Sequence, residues 1–103
     1  MLVLTTDYVP NHEIKEIKGL AKGSTVRSKH VGKDITAGLK SIVGGELTGY
    51  NEMLIEARQL AIGRMVEDAE KMGANAIIGM RLQSAAITQG AAEVFAYGTA
   101  VVI

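Results

Sequence analysis

Two histidines, His12 and His30, and no cysteine make up the chain's whole stock of imidazole and thiolate metal ligands. His12 sits beside Glu13. His30 precedes Asp34 by four residues, a spacing that puts two side chains on one face of a helix, although Gly32 between them disfavours continuous helix. Zinc and copper favour imidazole or thiolate, and a protein site usually needs three or four ligands. One copy of the chain therefore offers part of a site at most, and copies gathered about a symmetry axis would have to supply the rest. The simpler alternative makes His30 a surface residue and Asp34 a helix N-cap. A divalent or heavy metal is the one cofactor these residues suggest, with His30 and Asp34 as its candidate ligands.

Signals for catalysis are weaker still. Ser24, Ser28, Ser41 and Ser84 lack any nucleophile signature. Gly44-Gly45-Glu46 lacks the spacing and the Lys-Ser/Thr of a phosphate loop, and reads as a helix stop and turn. Arg64 and Asp68, four apart, read as a packed ion pair. No catalytic residue is assigned. Arg27, Glu46 and Arg81 are the polar residues to inspect at junctions between copies, Arg81 first, because on the alternate face of its strand it could meet a neighbouring subunit or line a central channel.

The elements that must position these groups centre on residues 44–79. From Thr48, a candidate N-cap, Tyr50, Leu54, Ala57, Ala61, Met65 and Met72 recur at helical spacing, with Glu52, Glu56, Gln59, Glu67 and Glu70 opposite. Lys71 suits the helix C-terminus and Gly73 can take the left-handed cap. Ile55, Ile62 and Val66 form a second apolar patch. Either a shorter helix before Gly44, beginning near Asp34, covers them, or they are a subunit interface.

Leu2 to Thr5 predicts a first strand, ended by the loop around Pro10. Ile14, Ile17 and Leu20 are three apart, a helical spacing. Gly19 and Gly23 nevertheless favour two short strands, or one long strand bent at glycine. Residues 75–84 alternate, with Ala76, Ile78, Met80 and Leu82 on one face and Ile77, Gly79, Arg81 and Gln83 on the other. After a turn at Thr88-Gln89-Gly90, residues 93–103 alternate again, yet both of their faces are largely apolar. One helix layer covers one face, so something else must cover the second.

A chain of 103 residues is one domain, near the size at which oligomerisation adds useful burial. Its formal net charge of zero and interspersed basic residues give no bulk attraction to nucleic acid or an anionic membrane. The N-terminus lacks the pattern of a signal peptide, and no stretch approaches the roughly 20 apolar residues of a membrane span. Absence of cysteine fits a reducing compartment. The expectation is a soluble cytoplasmic protein without nucleic-acid or membrane partners.

The runs VGKDITAGLKSIVGGELTGY, EDAEKMGANAIIGMR and AAEVFAYGTAVVI, in that order over nearly the whole chain, resemble the YbjQ-like family of small uncharacterised prokaryotic proteins, labelled heavy-metal-binding. The resemblance implies an α+β fold: a two-layer, dodecin-like β-α-β-β subunit with an additional N-terminal strand region and an antiparallel sheet. It also implies assembly as a ring, a homopentamer. No catalytic residues come with it. The leading expectation is a non-enzymatic oligomer with a metal or small ligand at its subunit junctions. Two alternatives stay open: an enzyme with a composite site between subunits, drawing on Arg27, His30, Asp34 or Arg81, and a structural or partner-binding adaptor.

Overall fold

Helix α1 spans Thr48–Lys71, 24 residues, in a computed structural model that describes residues 1–28, 48–88 and 90–103. Its end is closed as the glycine predicts. Gly73 has φ +84°, its amide donates to the Glu70 carbonyl at 3.0 Å, and the Ala74 amide donates to Ala69 at 3.1 Å. Those two bonds are a complete Schellman cap. The expected short helix before Gly44 lies outside the described residues, as do His30, Asp34 and Glu46.

The buried row on α1 is Met53, Ala57, Ala61, Met65 and Ala69. It follows the i±4 ridge, so Met53 and Ala69 replace Tyr50 and Met72 as the deepest positions. This ridge presents mostly small side chains, which lets the helix backbone approach the sheet closely.

Four strands receive it: β1 (Leu2–Val3), β2 (Glu16–Ser28), β3 (Ala76–Thr88) and β4 (Ala91–Val102), in sheet order β1-β3-β4-β2. β4 lies antiparallel between β2 and β3, so β2-α1-β3 is a crossover with a strand inserted between its two parallel arms. β1 pairs parallel to β3, Leu2 against Ala76 and Val3 against Ile77. The sheet is therefore mixed, not wholly antiparallel. The reason is the route of the chain. Residues 4–15 cross the sheet from β1 at one edge to β2 at the other, which leaves the two strands running in the same direction.

Of the three register shifts in the sheet, at Ile17/Gly19, Ile78/Arg81 and Ala86/Thr88, the first two decide which way the side chains of interest face. β2 is one long strand with a bulge at its start, where pairing passes from Ile17–Val101 to Gly19–Ala100 and Gly19 takes φ +127°. The extra residue puts Ile17 and Leu20 on the same face, which accounts for their helix-like spacing of three. In β3, pairing passes from Ile78–Thr99 to Arg81–Tyr97, so Gly79 (φ +61°) and Met80 together oppose Gly98. Alternation inverts there: Ile77 and Met80 both join the helix-side core. Arg81 lands on the outer face with Ile78, where strict alternation had placed it with Ile77.

The helix-side core gathers Ala21, Ala57, Ala61, Met65, Ile77, Val94, Ala96 and Ala100. On the outer face, the crossing segment buries Val9 against Ala76, Ile78 and Val101. It covers only that end of β4. Further along, Phe95, Tyr97 and Thr99 are half-buried, and β2 exposes Ile17 (69%), Leu20 (57%) and Val26 (59%). The radius of gyration is 17.0 Å, against about 13 Å for a compact chain of this length.

Beneath the helix lies Gly23, where an added Cβ would overlap the backbone of Met65 and Ala61. Backbone cannot swing aside as a side chain does, and overpacking a core typically costs 1–3 kcal/mol. Gly23→Ala is expected to lose at least about 2 kcal/mol of unfolding free energy by urea denaturation. Stability equal to wild type would mean that the helix does not rest on this strand.

Candidate functional site

β2 is an edge strand, and its free edge is where polar chemistry collects. An exposed edge presents unpaired backbone donors and acceptors, and long bare edges invite pairing with other chains. Here α1 reaches down to occupy part of it. Arg64 Nη1 donates to the Ser24 carbonyl at 2.7 Å, and the Lys22 amide donates to Asp68 Oδ2 at 3.0 Å. The expected Arg64–Asp68 ion pair gives way to two separate bonds from helix to strand, since both side chains lie above a backbone that β4 leaves unpaired.

Two grooves flank this strapped edge. One, of about 600 Å³, runs along α1 and is lined by Arg27, Glu56, Gln59, Leu60, Arg64 and Glu67. Arg27, on the helix side of β2, pairs with Glu56 at 3.0 Å; both are well exposed. Such a pair is worth about 0–1 kcal/mol in water and reads as a surface contact. The second groove, of about 560 Å³, lies along Lys22, Gly23 and Ser24 beside Phe95.

Arg81 is anchored. Its Nη1 donates to the Thr5 carbonyl at 3.0 Å and to Met80 at 2.8 Å, tying the bulged stretch of β3 to the segment after β1. It serves the fold at the opposite side of the sheet from Arg27, so the structure does not bring these two candidates together. Of the apolar patch, Ile62 and Val66 lean on the helix-side core, while Ile55 faces water at 42% exposure. The close seat of α1 on Gly23 explains the split, because side chains flanking the contact ridge are drawn toward the sheet.

Among the described residues no group of three or more His, Asp or Glu side chains is placed to hold a metal. His12 is exposed in a turn where its amide donates to the Val9 carbonyl at 3.2 Å. With no cysteine in the chain, the described side chains of one protomer do not fit a metal site built on thiolate or imidazole. The groove beside Phe95 was not anticipated from spacing. Its signal was the pairing of Phe95 and Tyr97 two residues apart, which places both rings on one face of a strand.

The whole chain, residues 1–103, matches the model of the YbjQ family, described as "Putative heavy-metal-binding". A UPF0145 protein of Clostridioides difficile is 66% identical over 103 residues, covering 100% of this chain and 92% of the relative. One from Clostridium perfringens is 65% identical over 102 residues, covering 99% and 96%. An archaeal relative, from Methanosarcina acetivorans, is 56% identical over 103 residues, covering 100% and 97%. A crystal structure of a protein of unknown function in the DUF74 family, from Pediococcus pentosaceus, superposes with a TM-score of 0.65 at 19% identity, covering 100% of this chain and 97% of that one. That likeness shows the shared fold alone.

The two bonds from helix to strand carry a prediction. Replacing Arg64 and Asp68 together by alanine bares the Lys22 amide and the Ser24 carbonyl. The double variant is expected to lose about 1–2 kcal/mol of stability in denaturant and to aggregate faster on warming than wild type, followed by light scattering. Unchanged stability and unchanged aggregation would show that the edge needs no cover from the helix.

Proposed function

The chain belongs to the YbjQ family, and on that premise we propose a non-enzymatic, ring-forming protein, a homopentamer, that holds a small ligand at its subunit junctions. One observation carries this reading: an edge strand exposing Ile17, Leu20 and Val26 beside an open stretch of β4. Fully burying aliphatic side chains of this size is worth about 1.5–3 kcal/mol each, so covering three of them is a substantial drive to associate. The extended radius of gyration and exposed Ile55 and Leu60 on α1 supply further surface for a neighbour. A ring needs two different surfaces on each copy, and β2 and the outer side of α1 fit that requirement.

A metal at the junctions is a second form of the same reading. It would rest on His30 and Asp34 drawn from several copies, since the described residues of one copy do not suffice. Such a site should give saturable heat with zinc, copper or nickel in the assembled, tag-free protein and lose it in His30→Ala. No saturable heat in the assembled wild type would remove the metal and leave the small ligand.

Assembly itself is read by sedimentation. At micromolar concentration the wild type should sediment as a pentamer, and Ile55→Glu, a change at an exposed position, should shift it to smaller species with little change in thermal midpoint. A wild-type monomer would overturn the proposal. A pentamer indifferent to Ile55→Glu would remove α1 from the interface.

A further inference from the structure

The groove beside Phe95 combines three kinds of recognition in about 560 Å³, within the roughly 300–1,000 Å³ of small-ligand sites. Its floor is aromatic. The Phe95 ring stacks with Tyr97 at a centroid distance of 5.9 Å and 26° between planes, and half-exposed aromatic rings on an open sheet face are stacking platforms for planar bases. Two cations flank the floor. Register sets Lys22 opposite Tyr97 and Ser24 opposite Phe95 on the outer face. Arg64 reaches the same groove from α1, where its Nη1 donates to the Ser24 carbonyl and the guanidinium carries further donors beyond that bond. The bond also fixes where the guanidinium points.

A carboxylate completes the set. Glu93 also lines the groove, and a carboxylate accepts readily from the exocyclic amine of a base. The other nearby acid, Asp68, already accepts the Lys22 amide at 3.0 Å. Aromatic floor, paired cations and one acceptor together complement a molecule with a flat amine-bearing ring and an anionic group. A nucleic-acid strand needs a cationic groove that tracks its backbone for several nucleotides, whereas among the described residues two cations line this groove and the chain's formal net charge is zero.

We propose that this groove binds a nucleoside monophosphate, the base laid on Phe95 and the phosphate held between Lys22 and Arg64. The proposal names the class of the small ligand in the reading above. Its contacts all come from one protomer, and a neighbour covering Leu20 and Val26 would roof the groove rather than build it.

Calorimetric titration of the tag-free protein with adenosine 5′-monophosphate should saturate at one ligand per protomer. Adenosine should bind at least about tenfold more weakly, the loss of charge-assisted contacts to the phosphate. Phe95→Leu keeps an apolar side chain of similar size without a π-face, and should weaken the nucleotide by about 5- to 150-fold. Lys22→Gln, at an exposed position, should weaken the nucleotide and leave adenosine unchanged. The proposal is overturned by any of three results: no saturable heat in protein shown to be folded, equal nucleotide affinity in Phe95→Leu, or a short oligothymidylate preferred over the mononucleotide. Sedimentation in parallel separates the two readings. A monomer that binds nucleotide refutes the ring alone, and a pentamer that does not refutes this site alone. If Phe95→Leu alters the sedimentation of a protein that binds no nucleotide, the occupant of this face is a second copy.

Discussion

The fold depends on one close approach, the backbone of α1 lying directly over Gly23 of β2. Neither Met65 nor Ala61 could hold its place if β2 carried a side chain there. The contact requires small residues on both partners, and Ala57, Ala61 and Ala69 supply them from the helix, all of them fully buried. Because the interlayer space is so thin, few large side chains fit in it. Among the described residues Met65, Ile77, Val94 and Val101 are the largest to be fully buried, and Val101 belongs to the opposite face. A core of this kind buries little apolar area per residue, which leaves larger aliphatic groups for the surface.

The same approach organises the edge of the sheet. Only a helix this near can let Arg64 and Asp68 bond directly to the backbone of β2. Those bonds answer part of the edge's demand for partners while leaving its outer face open. The polar straps and the exposed Leu20 and Val26 thus lie on one strand for one reason: α1 covers a single face of it. The nucleotide groove is a by-product of this geometry, since Arg64 reaches Ser24 at the rim of the face that displays Phe95.

Much of the architecture was legible in the residues. The span of α1, its Gly73 cap and the two long strands after it followed from periodicity and turn chemistry. Before it the glycines left open two short strands or one bent strand, and the structure has the bent one. Three features did not follow. The bulge at Gly79 inverts the faces of β3, and no alternation rule registers an extra residue until a partner strand shows it unpaired. Parallel pairing of β1 depends on where residues 4–15 cross, a path set by Val9 burying itself on the far side of the sheet. Arg64 and Asp68 looked like partners at helical spacing, but each found a backbone group closer to hand.

Among the described residues, the sequence by itself determined the types and order of the main elements and the excess of apolar surface, because local spacing and composition act before any tertiary contact forms. The family, too, could be read from runs of residues spread along the chain. Only the tertiary structure decided where that surplus is displayed. Bulges redirect side chains, and a crossing segment shields Val101 while leaving Phe95 half-open. Such outcomes depend on pairing between residues distant in the chain, which no local pattern encodes.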